Sequence, residues 1–487
     1  MNRKMIRFVL GYVLMIEAAL MVLPIVTGFV YGETRHSLIY IGVALFTLLT
    51  GFILGHKKPK NNMFYIKEGG VITALSWILM SMFGALPFVI TGDIPSYTDA
   101  LFETISGFTT TGSSILTNVE ALSHANLMWR SFTHWVGGMG VLVFILMILP
   151  MTGGSTMNLM KAESPGPEVG KLVPTIKKTS RTLYILYAGI TLAEIIILIC
   201  LKMPVFDAIC TGFGTAGTGG FGVRNTSIAD YSAAIQWVVA FFMIRFGVNF
   251  NFYYYISIKK PGEAFRMEEV RTYLGIIGVV TVIMTANLLK LGMGLLTTLR
   301  HVIFQIATVM TTTGFATTDF NLWPTTSRML LVALMFVGAC AGSTGGGVKV
   351  SRCIIMVKAV INEMSKYLFP KRVKALRREG REVDPDVVHS VLVYFGTFIL
   401  IFVASMLIVT YDGNDLTTTF TAIAATINNI GPGLNRVGPT RNYAHFSHLS
   451  KYVMMFDMLA GRLELIPMLM LFNHVTMKEL LFPKPKK

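Results

Sequence analysis

The chain has 487 residues, of which 53% are hydrophobic and only 14% charged. Soluble domains carry about 25% charged residues, so this composition excludes a set of water-soluble cores and points to a polytopic membrane protein. The net charge of +16 does not mark a nucleic-acid binder, because no basic face interleaved with aromatic residues occurs outside the apolar segments.

Ten apolar runs are long enough to cross a bilayer, near 5–30, 37–55, 69–92, 124–151, 182–201, 231–257, 272–291, 326–358, 387–410 and 446–477. The first lacks a small-residue cleavage site and reads as a retained helix rather than a signal peptide. Six stretches hold 30 of the 42 Lys and Arg: the start to Arg7, 57–67, 161–181, 259–271, 349–381 and the tail from Lys478. Every second connection is therefore basic, which predicts both termini in the cytoplasm of a multi-pass protein of the cell (inner) membrane.

Four shorter apolar segments lie between the long ones, near 98–109, 204–216, 297–311 and 415–427. They are too short to span and read as re-entrant. Each runs into a small-residue turn: TTTGSS (109–114), GTGGFG (217–222), TTTGFA (311–316) and NNIGPG (428–433). The aligned glycines Gly112, Gly220, Gly314 and Gly431 are 108, 94 and 117 residues apart, which predicts four copies of one unit. The expected fold is an all-α polytopic membrane protein. Four repeats of long helix, short pore helix and second long helix surround a pseudo-four-fold pore. The predicted boundaries are 1–68 for two additional N-terminal helices, then 69–181, 182–271, 272–385 and 386–487 for the repeats.

Non-helical backbone is tolerated at membrane depth only where protein buries it or where it lines a watery cavity. Four such turns around one axis can replace a cation's hydration shell with backbone carbonyls. Glycine permits the backbone angles that aim carbonyls inward, and short helices directing their C-terminal ends at the cavity add negative potential. The turns carry no charged side chain, which favours a weakly hydrated monovalent cation over calcium. The candidate ion-binding residues are Thr110, Thr111, Gly112, Thr218, Gly219, Gly220, Thr312, Thr313, Gly314, Asn429, Ile430 and Gly431. The ion itself is expected at Thr111, Gly112, Gly219, Gly220, Thr313, Gly314, Ile430 and Gly431.

Acids flank these turns: Asp93, Asp99, Glu103, Glu120, Asp207, Asp230, Asp319, Asp412 and Asp415. They could concentrate cations at the mouth, although solvated loop or helix-cap positions account for most of them. His134 and Trp135 read as an interfacial anchor. The run GACAGSTGGGVK (338–349) interrupts one long segment and lacks Walker spacing, so it is not read as a nucleotide site. Arg462, within an apolar helix, implies a cavity or a buried ion pair, with Asp457 and Glu464 nearby. Arg245 invites the same question. The four cysteines show no metal or disulfide spacing.

The segments FETISGFTTTG, HWVGGMGVLVFILMILP (134–150), KAESPGP (161–167), TGGFG, TTTGFATTDF, GSTGGGVK (342–349), NNIGPG and MLAGRLELIPML (458–469) together resemble the TrkH/KtrB family of bacterial potassium transporters, and the N-terminal helices resemble its TrkH branch. The resemblance implies potassium as the transported ion and no cofactor on this chain. It also implies a gate made of Gly342, Ser343, Thr344, Gly345, Gly346, Gly347 and Lys349, with Arg462 bordering the pore beneath the filter. Arg245 departs from the small residue usual in the family. The implied assembly is a homodimer over a cytosolic TrkA/KtrA-type ring, which would bind ATP, ADP or NAD and for which the basic stretch 366–384 is the docking candidate. A sodium-coupled potassium symporter or a potassium- and sodium-permeable transporter of the same fold is the alternative, disfavoured by glycine at Gly112, where related transporters that pass sodium have serine. An alternating-access carrier with inverted repeats fits less well, since only one long helix reads as broken and the repeats share one orientation. A membrane enzyme would need a catalytic constellation, and none is visible.

Overall fold

The computed structural model describes residues 1–57, 59, 65–140, 176–369, 375–379 and 381–481. Residues 141–150 and KAESPGP lie outside these. The fold is all-helical apart from a two-stranded hairpin, Arg377–Arg378 with Arg381–Glu382.

Among the described residues six helices are long and apolar enough to cross a membrane unaided: Arg3–Val30, Thr34–Gly55, Lys67–Thr91, Ser180–Cys200, Glu268–Leu291 and Pro385–Asp412. The first two precede the repeats, and the other four are the first helix of each. They leave large apolar side chains uncovered, such as Val282 (70% exposed) and Leu400 (73%), as a lipid-facing surface would. The N-terminal pair meets backbone to backbone. A methyl on Gly11 would lie 2.6 Å from the Gly51 carbonyl oxygen and 2.6 Å from the Gly55 Cα, so glycine sets that approach. Two of the six spans are interrupted at Met21 and Ala85, where Pro24 and Pro87 remove the bonds that would run back to Leu20 and Phe83.

The short helices are Tyr97–Phe108, Val205–Gly217, Leu295–Met310 and Leu416–Ile427. They match the four re-entrant segments to within a few residues. Ser96 and Asp415 cap two of them, accepting from the amides of Asp99 and Thr418.

The second long helix of every repeat ends or bends short of a full straight span. In repeat one, His124–Met139 ends at Gly140 (φ 83°, ψ 134°). In repeat two, Ala233–Phe246 and Phe250–Ser257 meet at 91°. In repeat three, Thr325–Met335 and Val350–Leu368 are separated by the glycine run. In repeat four, His448–Leu463 gives way to Leu465–Phe472 at Glu464 (φ 71°, ψ 143°). The expectation of a single broken helix is therefore corrected. Pro467 supplies one physical cause, since it cannot donate back to Leu463. At Gly247 a methyl would meet the Tyr273 hydroxyl and the Thr311 methyl, which fixes a second close approach.

Candidate ion pathway

The four short helices end in one repeated piece of backbone. Thr110, Thr218, Thr312 and Asn429 occupy the left-handed region at φ 55°, 55°, 58° and 55°. The next amide closes back on the helix each time: Thr111 to Ser106 O (2.9 Å), Gly219 to Gly214 O (2.9 Å), Thr313 to Thr308 O (2.8 Å) and Ile430 to Ala425 O (2.8 Å). This is the six-to-one closure that usually recruits glycine. A left-handed residue with a Cβ costs about 1–2 kcal/mol. Three of the four positions hold β-branched threonine, so the surrounding structure must impose the turn.

Two residues further on, Gly112, Gly220, Gly314 and Gly431 again have positive φ, at 80°, 74°, 92° and 97°. Here glycine is required by space as well. A methyl on Gly112 would strike the Gly219 carbonyl of repeat two, one on Gly220 the Thr313 carbonyl of repeat three, and one on Gly314 the Ile430 carbonyl of repeat four. A methyl on Gly431 would come 2.8 Å from the Thr111 carbonyl of repeat one. The contacts run one, two, three, four and back to one, so the turns close a ring in chain order. All twelve turn residues named from the sequence belong to these four segments.

The ring opens on one side into a cavity of about 200 Å³ lined by Gly112, Gly220, Gly314, Gly431 and Tyr443. Bonds within repeat four, and between it and repeat one, tie these turns together. Ser113 Oγ (3.1 Å) and Tyr443 Oη (2.7 Å) donate to Gly431 O, and Asn429 Nδ2 donates to Thr111 Oγ1 (2.9 Å) and Met458 O (2.9 Å).

On the other side the glycine loop 338–349 presses against repeats three and four. The Gly346 amide donates to Thr312 Oγ1 at 2.6 Å, and a methyl on Gly345 would lie 2.9 Å from Thr311 O. The Cys340 amide donates to Gly247 O (3.0 Å), while Gly342 O accepts from Phe250 N (2.9 Å). Ser343 Oγ closes on Cys340 O (2.6 Å), Thr344 Oγ1 reaches Phe246 O (3.2 Å), and the buried Lys349 ammonium donates to Gly345 O inside the loop. Positive φ at Gly338, Gly342, Gly347 and Lys349 bends the chain. Arg462 donates to Thr344 O (2.7 Å), Gly137 O (2.6 Å) and Gly138 O (2.8 Å), joining the loop to the end of the repeat-one helix. Every loop residue picked out in the sequence is thus within this cluster.

A family model described as a cation transport protein, TrkH, matches residues 35–480. The chain belongs to the TrkH family. The chain is 32% identical to the Trk system potassium uptake protein TrkH of Salmonella typhimurium over 490 residues, covering 98% of this chain and 100% of that protein. Identity to the Trk system potassium uptake protein TrkG of Escherichia coli is 31%, covering 95% and 96%. The crystal structure of the potassium transporter TrkH from Vibrio parahaemolyticus superposes with a TM-score of 0.87 at 29% identity, covering 98% and 100% of the two chains.

Against this family frame, several side chains differ from their sequence reading. His134 is no interfacial anchor: it is fully buried behind the repeat-two turn. Glu103 is not a solvated mouth acid. It is buried, bonded to Arg130 Nε (2.6 Å), Ser114 Oγ (2.9 Å) and the Ile115 amide (3.0 Å). Asp99, Asp207 and Asp93 are likewise engaged, by Lys451, by Arg224 with Tyr231, and by Ser123 with Asn126. The Glu464 carboxylate meets Arg352 at 2.5 Å. Asp457 accepts from Ser405 Oγ at 2.8 Å. Arg245 lies near the rings of Phe241, Phe242 and Tyr253, 5.4–5.8 Å from their centroids.

Sequence reasoning missed Glu269 altogether. Its Oε1 accepts from the Ala341 (2.6 Å) and Ser351 (3.1 Å) amides, one at each end of the glycine loop, and its Oε2 lies 3.5 Å from Arg378 of the hairpin. An acid opening an apolar helix looks like an ordinary cap, so its distant partners left no local signal.

Proposed function

We propose that this chain is a potassium uptake protein whose four glycine turns form a K+-selective filter. The cyclic closure of the turns carries this reading. Four uncharged segments with the same backbone angles can ring one dehydrated ion with carbonyls, and the potassium uptake role of the relatives supports the choice of ion. The cavity side is taken as extracellular, and both termini as cytoplasmic in the cell membrane.

The glycine loop serves as the gate in this reading, held closed by Thr312, Lys349 and Arg462. Cytosolic nucleotide-binding subunits would act on it through the basic hairpin, since Glu269 links Arg378 to both ends of the loop. A homodimer of pore chains is the proposed assembly.

Flux of K+, Rb+, Na+ and Li+ into liposomes holding the purified chain tests the filter. K+ and Rb+ should pass well ahead of Na+ and Li+, and Gly112→Ser should lower the K+/Na+ ratio. Equal K+ and Na+ flux in the unaltered chain would overturn the proposal.

A further inference from the structure

The four turns share their backbone but not their side-chain support. In repeats one and three, two threonine hydroxyls tie each turn to itself: Thr109 to Thr111 (2.8 Å) and Thr311 to Thr313 (2.7 Å). Repeat two has glycine at both equivalent places, Gly217 and Gly219. It cannot make that tie.

His134 fills the gap. It comes from the second long helix of repeat one and is fully buried. A methyl on Gly219 would fall within the imidazole, and one on Gly217 would strike the His134 carbonyl. The ring therefore occupies the volume that a side chain of repeat two would need. Its Nδ1 lies 2.8 Å from Gly107 O, which can only accept, and its Nε2 lies 3.2 Å from the Phe221 amide, which can only donate. The two partners fix one neutral tautomer, with the proton on Nδ1.

Phe221 follows Gly220 directly, so this bond holds the end of the repeat-two turn. Arg130, one helical turn before His134, completes the clamp. Its guanidinium lies 3.5 Å over the Phe221 ring and donates to Gly222 O at 3.0 Å, and Glu103 of the short helix in repeat one holds it in place. Repeat one thus supplies what repeat two lacks.

We propose that His134 is a positioning residue for ion selectivity, setting the place of the repeat-two carbonyls through its bond to the Phe221 amide. This rests on the reading of the ring as a cation filter. Loss of the bond lets one quarter of the ring shift, which degrades discrimination while conduction continues.

The test is the K+/Na+ flux ratio in liposomes for three variants. His134→Phe fills the space without an acceptor and should lower the ratio about five- to tenfold, the equivalent of one lost buried bond. His134→Gln can still accept from Phe221 and should stay within about twofold of the unaltered chain, whereas His134→Asn reaches only Gly107 and should fall with His134→Phe. An unaltered ratio in His134→Phe would overturn the proposal. Should that variant fail to assemble, the two amides decide: a ratio kept by Gln and lost by Asn supports the bond, and equal ratios refute it. If the unaltered chain itself fails to discriminate, the filter reading has failed and not the brace.

Discussion

Arg462→Gln isolates the contact that holds the glycine loop in place. Arg462 bonds Thr344 O of the loop at 2.7 Å, while its bonds to Gly137 O and Gly138 O anchor the arginine to repeat one. A hydrogen bond from a charged donor is worth about 1.5–3 kcal/mol net. Glutamine has neither the charge nor the length to replace it, so the seated loop loses about that much. At ~1.4 kcal/mol per factor of ten, the ratio of seated to released loop falls about 10- to 150-fold. A loop seated ~100:1 would drop to between ~10:1 and about even. Single-channel recording in planar bilayers reads this as open occupancy, and Arg462→Lys, which keeps the charge at one point only, should lie between. Unchanged occupancy in monodisperse Arg462→Gln would refute the tether. A rise in unit conductance without a rise in occupancy would show that the arginine acts only as a charge beside the pore.

Three other predictions rest on single carboxylates. Glu269→Ala strips the acceptor from the Ala341 and Ser351 amides and should raise basal flux at least about tenfold; flux at the unaltered level would show that the loop ends hold without it. Glu103→Gln removes the counter-charge of the buried Arg130, leaving it Gly222 O and the Phe221 ring, and should cost about 3–5 kcal/mol, read as a lower midpoint in thermal unfolding in detergent. A loss under ~1 kcal/mol would show that the guanidinium finds other partners. Glu33 lies between two spans, and there partial burial pulls its carboxyl up, but bonds from the Ala125 and His124 amides and the His124 ring outweigh this and hold it below the ordinary carboxylate range. Its contribution is present above the unfolded value near ~4.3 and disappears as pH falls through the folded one. Glu33→Gln should therefore flatten the acid limb of the stability curve below about pH 4, and an unchanged limb would contradict this.

The ring was legible in the sequence because its parts are local. A sub-spanning apolar segment followed by a glycine turn is visible within about 15 residues, and it occurs four times. The braces were not legible, because each joins elements far apart in the chain. Glu103 reaches Arg130 and Glu269 reaches Ala341, separations of 27 and 72 residues. His134 sits beside Trp135 on an apolar helix, the local pattern of a membrane-interface anchor, and only the closeness of Gly217 and Gly219 to its helix shows otherwise. The break at Glu464 escaped notice for a different reason. This residue holds positive φ, at 71°, where glycine is the rule, so composition pointed elsewhere.

The division between equal backbone and unequal side chains bears on how such a pore can be both selective and controllable. Thr110, Thr218, Thr312 and Asn429 adopt φ within a few degrees of one another although one is not threonine and their neighbours differ. Carbonyl positions follow from backbone angles, so four unlike sequences can present like oxygens to an ion. Control needs the opposite, a structure with one moving part. Among the described residues the glycine loop occurs in repeat three alone, and its bonds run to Phe246 and Phe250 in repeat two, Thr312 in its own repeat and Arg462 in repeat four, with repeat one reached through Gly137 and Gly138. In the proposed reading, a single insertion bonded to three repeats and linked to repeat one through Arg462 can release the pathway without altering the angles that select the ion. Gene duplication alone would give four equal plugs or none; the divergence of side chains around a constant backbone permits one.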